Sequence, residues 1–247
     1  ARTEGTLHVH TASAGTVTAS TQADDLVVEN SAEGGITIIT PDDQSARIRF
    51  TSPSTNTDVG GATIFYRQNI NKMNVGTAVS GGKLDLLSGA GVSAILADGD
   101  GNVTMAKQPA FLAYPDGNIS VSNSTSLTTF AANTEIYDVG SNFNVSTYKF
   151  TAPVTGKYLI KWAFRLDSSD SGATYYYYRI YTSNRTYDQI FKPTADETYS
   201  APHNIAIVDL DANDEAYLQY QQYSGTNNHA TIVSNSALTY IQGMLLG

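Results

Sequence analysis

The chain has no cysteine. Disulfides therefore do not stabilise it, and thiolate zinc sites are excluded. It has no run of about eighteen apolar residues, so no transmembrane helix is expected. Charge is sparse, at 15% of residues with a net of −9, and it is divided evenly. Residues 1–106 carry 6 basic and 11 acidic side chains, and residues 107–247 carry 8 and 12. There is no basic patch, which argues against nucleic-acid binding and against electrostatic attachment to an anionic membrane. Helical patterning is also missing: no stretch longer than about ten residues holds period 3.6. Large rings are scarce in one half only. Residues 1–106 hold three aromatics (Phe50, Phe65 and Tyr66), and residues 107–247 hold the other 22.

What remains is abundant Thr, Ser, Asn and Gly, a mix suited to strands and turns. The chain is predicted to be all-β. The contrast in aromatics predicts two domains: a thin trimeric β-structured stalk over 1–106 and a compact head over 107–247. The N-terminal Ala1-Arg2-Thr3-Glu4-Gly5 is not a signal peptide and reads as the cut end of a fragment, with an anchoring region expected before it.

The stalk shows short alternating segments separated by small-residue turns. Strands are predicted at Leu7–His10, Leu26–Glu29, Ile36–Thr40, Arg47–Thr51, Ala62–Tyr66, Lys83–Leu87 and Ala94–Ala97. Spacing of about ten residues between strand centres suits a β-meander. These strands are too small and polar to bury much surface within one chain. Three copies interlocked about an axis would bury one face of each. The stretches Leu7-His8-Val9-His10-Thr11, Gly35-Ile36-Thr37-Ile38-Ile39, Ala46-Arg47-Ile48-Arg49-Phe50 and Asp98-Gly99-Asp100-Gly101-Asn102-Val103 resemble phage tail-fibre and tailspike stalks. That resemblance implies a parallel homotrimer of intertwined strands.

In the second half, Tyr148, Phe150, Tyr158, Ile160 and Trp162 fall on alternate positions, as a buried sheet face requires. Pro153 and Gly156 punctuate two strands, and Gly156 is expected to take positive φ in the turn. Four stretches carry a family pattern: Ile136–Asn144, Tyr148–Ile160, Leu210–Leu218 and Ala237–Leu246. Together they resemble the globular head of the complement q subcomponent and tumour-necrosis-factor-like jelly rolls. Asn213 stands where that family usually has Gly. The resemblance implies a jelly-roll β-sandwich head, assembled as a compact trimer.

Two places could hold a metal, although no cofactor is required. His8 and His10, at i and i+2, share a strand face, where a trimer could gather them around an axis to bind a transition metal. The bland alternative is a solvated strand. Asp211 and Asp214, with Asp209 and Glu215, cluster at a turn where complement-type heads can bind calcium. Here the favoured reading is that Asp214 closes a tight turn. Asp98–Asn102 reads as a simple turn. No motif supports catalysis, and the protein is read as not an enzyme.

For binding, alternation puts Tyr175, Tyr177, Arg179 and Tyr181 on one face of a strand, and Tyr176, Tyr178 and Ile180 on the other. A tyrosine ring with a polar tip suits sugars and proteins alike. Asn184, Arg185 and Tyr187 in one loop, and Tyr223, Asn227, Asn228 and His229 in another, complete the candidate receptor-binding set. A trimer-interface role for the 175–181 strand stands beside receptor contact. The resemblances imply a homotrimeric phage tail-fibre or receptor-binding protein in the virion. It would engage a host surface glycan or outer-membrane protein, with other virion proteins at its N-terminal end. A structural capsid or collar fibre and a polysaccharide depolymerase are the alternatives.

Overall fold

The computed structural model describes residues 7–16, 19–52, 61–225 and 230–247. Among them it is nearly all-β, with no α-helix. The chain divides into two compact units: Ala1–Leu86 with Leu96–Val103, and Leu87–Ile95 with Thr104–Gly247. Among the described residues no helix is long and apolar enough to cross a membrane.

The N-terminal strands are β1 (Leu7–His10), β2 (Leu26–Glu29), β3 (Ser45–Phe50), β4 (Ala62–Arg67), β5 (Lys72–Thr77), β6 (Leu84–Ser88), β7 (Val92–Ala97) and β8 (Val103–Thr104). β3, β4 and β5 form an antiparallel meander, as the sequence predicts. A 3-10 turn at Gln68–Ile70 joins the last two, and Asn71 closes it at φ 48. β6, β7 and β8 make a second three-stranded sheet. Two expectations fail. β1 and β2 pair in parallel rather than as a meander, with Val9 opposite Val28. Ile36–Thr40 forms no strand, and Ile39 is 86% exposed, because no neighbouring strand among the described residues completes a ladder there. Among the described residues from 7 to 108 not one is buried.

The second unit is a β-sandwich. Its strands are β9 (Ala110–Tyr114), β10 (Ile119–Val121), β11 (Thr128–Thr129), β12 (Thr134–Val139), β13 (Phe143–Asn144), β14 (Lys149–Thr151), β15 (Gly156–Ala163), β16 (Leu166–Ser169), β17 (Tyr175–Thr182), β18 (Thr186–Phe191), β19 (Glu197–Ser200), β20 (His203–Leu210), β21 (Glu215–Tyr223), β22 (Ala230–Ile232) and β23 (Tyr240–Leu245). One sheet runs β12-β9-β23-β15-β20, and the other runs β13-β14-β21-β17-β18 with β11 beside β21. The chain passes repeatedly between the two sheets, which is the winding of a jelly roll. A smaller sheet, β10-β22-β16-β19, repeats the strand order of the first sheet beyond breaks at Pro115, Phe164–Arg165 and Ala201–Pro202.

The core lies between the sheets. Phe111 stacks on Phe143 and Phe150 at 4.9 and 4.8 Å, and Trp162 meets Tyr178 at 4.9 Å. Phe150, Tyr158, Ile160 and Trp162 are buried as expected. Tyr148 is not in that row: it sits in the turn before β14 at φ 63, with its N–H donating to Asn144 O. Gly156 is not in the positive-φ region either. What requires glycine there is close approach, since a Cβ would lie 2.7 Å from Leu245 Cδ1 and 3.0 Å from Gly247 O. Asn213 does take positive φ, at 76°, a conformation that asparagine tolerates better than most side chains. That explains how it can stand in place of Gly.

Candidate binding site

β17 follows a strict alternation. Tyr176, Tyr178 and Ile180 are buried, while Tyr175, Tyr177, Arg179 and Tyr181 face outward and are partly exposed. Cross-strand register then brings further side chains to the same face. β21 places Tyr223 opposite Tyr175, Gln219 opposite Arg179 and Tyr217 opposite Tyr181. β18 places Asp188 opposite Arg179.

The middle of this face is an ion-paired network. Arg179 donates through Nε to Asp188 Oδ1 at 2.8 Å and through Nη2 to Asp188 Oδ2 at 3.0 Å. It also donates to the Tyr177 hydroxyl at 2.9 Å, and that hydroxyl donates to Asp188. The guanidinium holds the Asp188 carboxyl below its ordinary pKa, and Asp188 in turn raises that of Arg179. Burial, aided by Asp188, raises the Tyr177 phenol. Such a fork fixes both side chains in a plane.

Stacked tyrosines flank the network. Tyr175 and Tyr223 lie 5.1 Å apart at 14°, and Tyr181 and Tyr217 lie 4.6 Å apart at 29°. Lys149 Nζ sits 4.9 Å from the Tyr217 ring centroid and pairs with Glu215 at 2.8 Å. The result is a rigid face of aromatic rings and paired charges. Tyr217 has Lys149 over its ring, whereas Tyr175, Tyr181 and Tyr223 each give one side to a stacking neighbour and keep the hydroxyl edge for a ligand.

The loop candidates divide. Tyr187 lies opposite Ile180 and packs against the core, so the structure takes it off the exposed face. The cause is strand parity: Thr186, Asp188 and Ile190 point outward, and Tyr187 does not. Asn184 donates to Asp209 O at 3.1 Å and to Asp214 Oδ2 at 2.9 Å, which ties the β17–β18 turn to the β20–β21 turn. Arg185 is exposed, 3.9 Å from Asp209. Asn227, Asn228 and His229 lie outside the described residues.

The side chains of His8, His10, Asp209, Asp214 and Glu215 have protein partners. Asp214 Oδ2 also accepts the Asp211 N–H at 2.9 Å, so this carboxylate closes its turn. Asp209 pairs with Lys157, and Glu215 with Lys149. His8 and His10 do share a face, where their Nε2 atoms lie 2.9 and 3.6 Å from Glu29 Oε2. Among the described residues no group of three or more His, Asp or Glu side chains is arranged to hold a metal ion. Asp98 accepts from the Asp100 and Asn102 N–H groups, closing its own turn.

Asp188, Tyr217, Gln219 and Lys149 belong to the face but were absent from the sequence-based set. Period-2 alternation along Glu215–Tyr223 signals Tyr217, Gln219 and Tyr223 together, whereas Asp188 needs the strand register.

A model of the C1q domain matches residues 110–245. Among solved structures, the globular domain of zebrafish complement 1qA is 15% identical, with a TM-score of 0.42 over 57% of this chain and 98% of its own. The Eiger TNF of S. frugiperda is 16% identical at 0.42, over 57% and 92%. Murine APRIL is 12% identical at 0.41, over 57% and 100%. No curated protein matches the chain.

Proposed function

The chain belongs to the C1q domain family, and we propose that it is a homotrimeric bacteriophage tail-fibre or receptor-binding protein whose head attaches to the host surface. Domains of this family form trimers, are typically extracellular and are generally non-enzymatic. The observation that carries the reading is the unburied N-terminal region. Its apolar side chains, among them Leu7, Val9, Ile36, Ile39, Phe50 and Met73, are exposed in a single chain. A cavity of about 590 Å³ opens beside β2, lined by Ala14, Val28 and Ile36 among others. Copies wound together would cover this surface, and a wound trimer is a fibre.

The head supplies a matching self-association face. On the outer side of the first sheet, Ile205 and Ile207 are 56% and 60% exposed, and Leu159 lies between Ile207 and the exposed Met244. An apolar sheet face of this kind marks a contact surface. Packing three heads through it leaves the tyrosine face of the other sheet outward, in three copies. Weak contacts repeated in this way gain avidity without new chemistry.

The test is adsorption competition. Purified protein added to host cells before phage challenge is expected to block attachment, and a Tyr175→Ala/Tyr181→Ala variant is expected to block poorly while remaining trimeric. Equal blocking by both would move the binding surface elsewhere. Blocking by neither would favour a structural virion fibre.

A further inference from the structure

A second concave feature lies away from the tyrosine face. Phe164, Arg165, Tyr199, Ser200, Ala201 and Leu238 line a cavity of about 500 Å³ at the break between β15 and β16. That volume falls within the range of small-ligand pockets. The break positions it: Phe164 N–H donates to Pro202 O at 2.9 Å, and Arg165 N–H to Thr239 Oγ1 at 3.1 Å. The chain is thereby pinned on two sides where the sheet ladder stops.

The lining has complementary parts. Tyr199 is 67% exposed, so its ring is open to a ligand. Arg165 lies beside that ring, its guanidinium carbon 5.7 Å from the centroid. Asp167 holds the guanidinium through Nε at 2.8 Å and Nη2 at 3.0 Å. This leaves the other N–H groups outside the pair, next to carboxylate oxygens that can still accept. Ser200 Oγ is buried and has no hydrogen-bond partner. Ser200 lies opposite the buried Leu166, so its hydroxyl points to the inner side of the sheet, while Tyr199, opposite Asp167, points outward. Leu238 adds an apolar wall.

We propose that this pocket binds an uncharged sugar ring. A pyranose offers an apolar C–H face to Tyr199. Its neighbouring hydroxyls, each both donor and acceptor, match the donor edge of Arg165 and the acceptor oxygens of Asp167. Charge selects neutral sugars. The Arg165–Asp167 pair cancels itself, and the chain carries −9, which opposes an anionic polysaccharide. Arg165 and Asp167 keep the outward parity of Leu159, so the pocket opens beyond the end of the proposed self-association face. An ion pair and a polar-tipped ring fit the rim of such a face rather than its apolar centre. The pocket shares no residue with the tyrosine face.

Saturation-transfer NMR on the full chain tests this with methyl glycosides of neutral hexoses and N-acetylhexosamines, and with glucuronate and sialic acid as acidic arms. At least one neutral glycoside is expected to bind. Tyr199→Ala is expected to weaken it about tenfold, and Tyr175→Ala to leave it unchanged. Sedimentation mass should be the same for all variants. The proposal is overturned if no neutral glycoside binds, if only the acidic sugars bind, or if Tyr199→Ala leaves affinity intact. It is also overturned if Tyr199→Ala lowers the mass instead, since the pocket would then receive a second copy of the chain. A Tyr175→Ala variant that loses adsorption but keeps sugar binding separates this site from the attachment reading.

Discussion

Residues 7–106 and 109–247 use the same alternation of strand side chains to different ends. In the second region alternate residues from two sheets meet, and rings such as Phe111, Trp162 and Tyr178 fill the space between them. Among the described residues of the first region no side chain is buried. Ile48 and Ile64 are cross-strand partners in the β3-β4-β5 meander, yet Ile48 remains 49% exposed. A single sheet layer has two wet faces, whatever its pattern. Ring size decides which outcome a chain can reach: large side chains span the distance between packed sheets, and small ones do not. Among its described residues the first region buries none, and on the proposed reading another copy would complete that burial.

This contrast can be broken most forcefully in the head. Trp162→Ala should cost about 3–5 kcal/mol of stability, read by chemical denaturation. The same experiment on Ile39→Ser should leave the head transition in place while raising the concentration at which chains dissociate. Gly243→Ala comes next. A Cβ there would lie 2.6 Å from Ile160 Cδ1 and 2.7 Å from Phe111 Cε1, and overpacking of this kind costs about 1–3 kcal/mol. A smaller effect is expected on the outer face. Arg179→Gln should cost at most about 1 kcal/mol of stability, because the pair is partly exposed, but it should free Tyr177 and lower adsorption.

The smallest effect is that of acid. The folded-state pKa of Asp188 is lowered, so its contribution is fully present above the unfolded aspartate value of about 3.9 and is lost as pH falls through the folded one. Adsorption should therefore hold steady down to about pH 4 and decline below it. In Arg179→Gln that decline should shift upward. An unshifted acid limb would remove the Asp188–Arg179 pair from the account.

Much of the head could be read from local pattern. The split of Tyr175–Ile180 into two faces depends only on the two-residue period of a strand, and the structure has it. So does the burial of Phe150, Tyr158, Ile160 and Trp162. Non-local choices were hidden. Tyr148 left its row because a left-handed turn precedes β14. Tyr187 faced the core because the β17–β18 turn set the parity of the next strand, which no count along one strand reveals. Asp188 joined Arg179 through register alone. In the first region Ile36–Thr40 has strand composition but no strand partner among the described residues, and composition does not say where a partner comes from.

The central claim is that the first region completes its burial between chains while the head has its own core. Sedimentation equilibrium of the intact protein, beside an Ile205→Asp/Ile207→Asp variant, tests it most directly. The wild type is expected at three times the 26.4 kDa chain mass, with slow amide exchange across β1–β8. A smaller species is expected for the variant, with the head core still protected. A wild-type monomer with protected amides in residues 7–105 would contradict it.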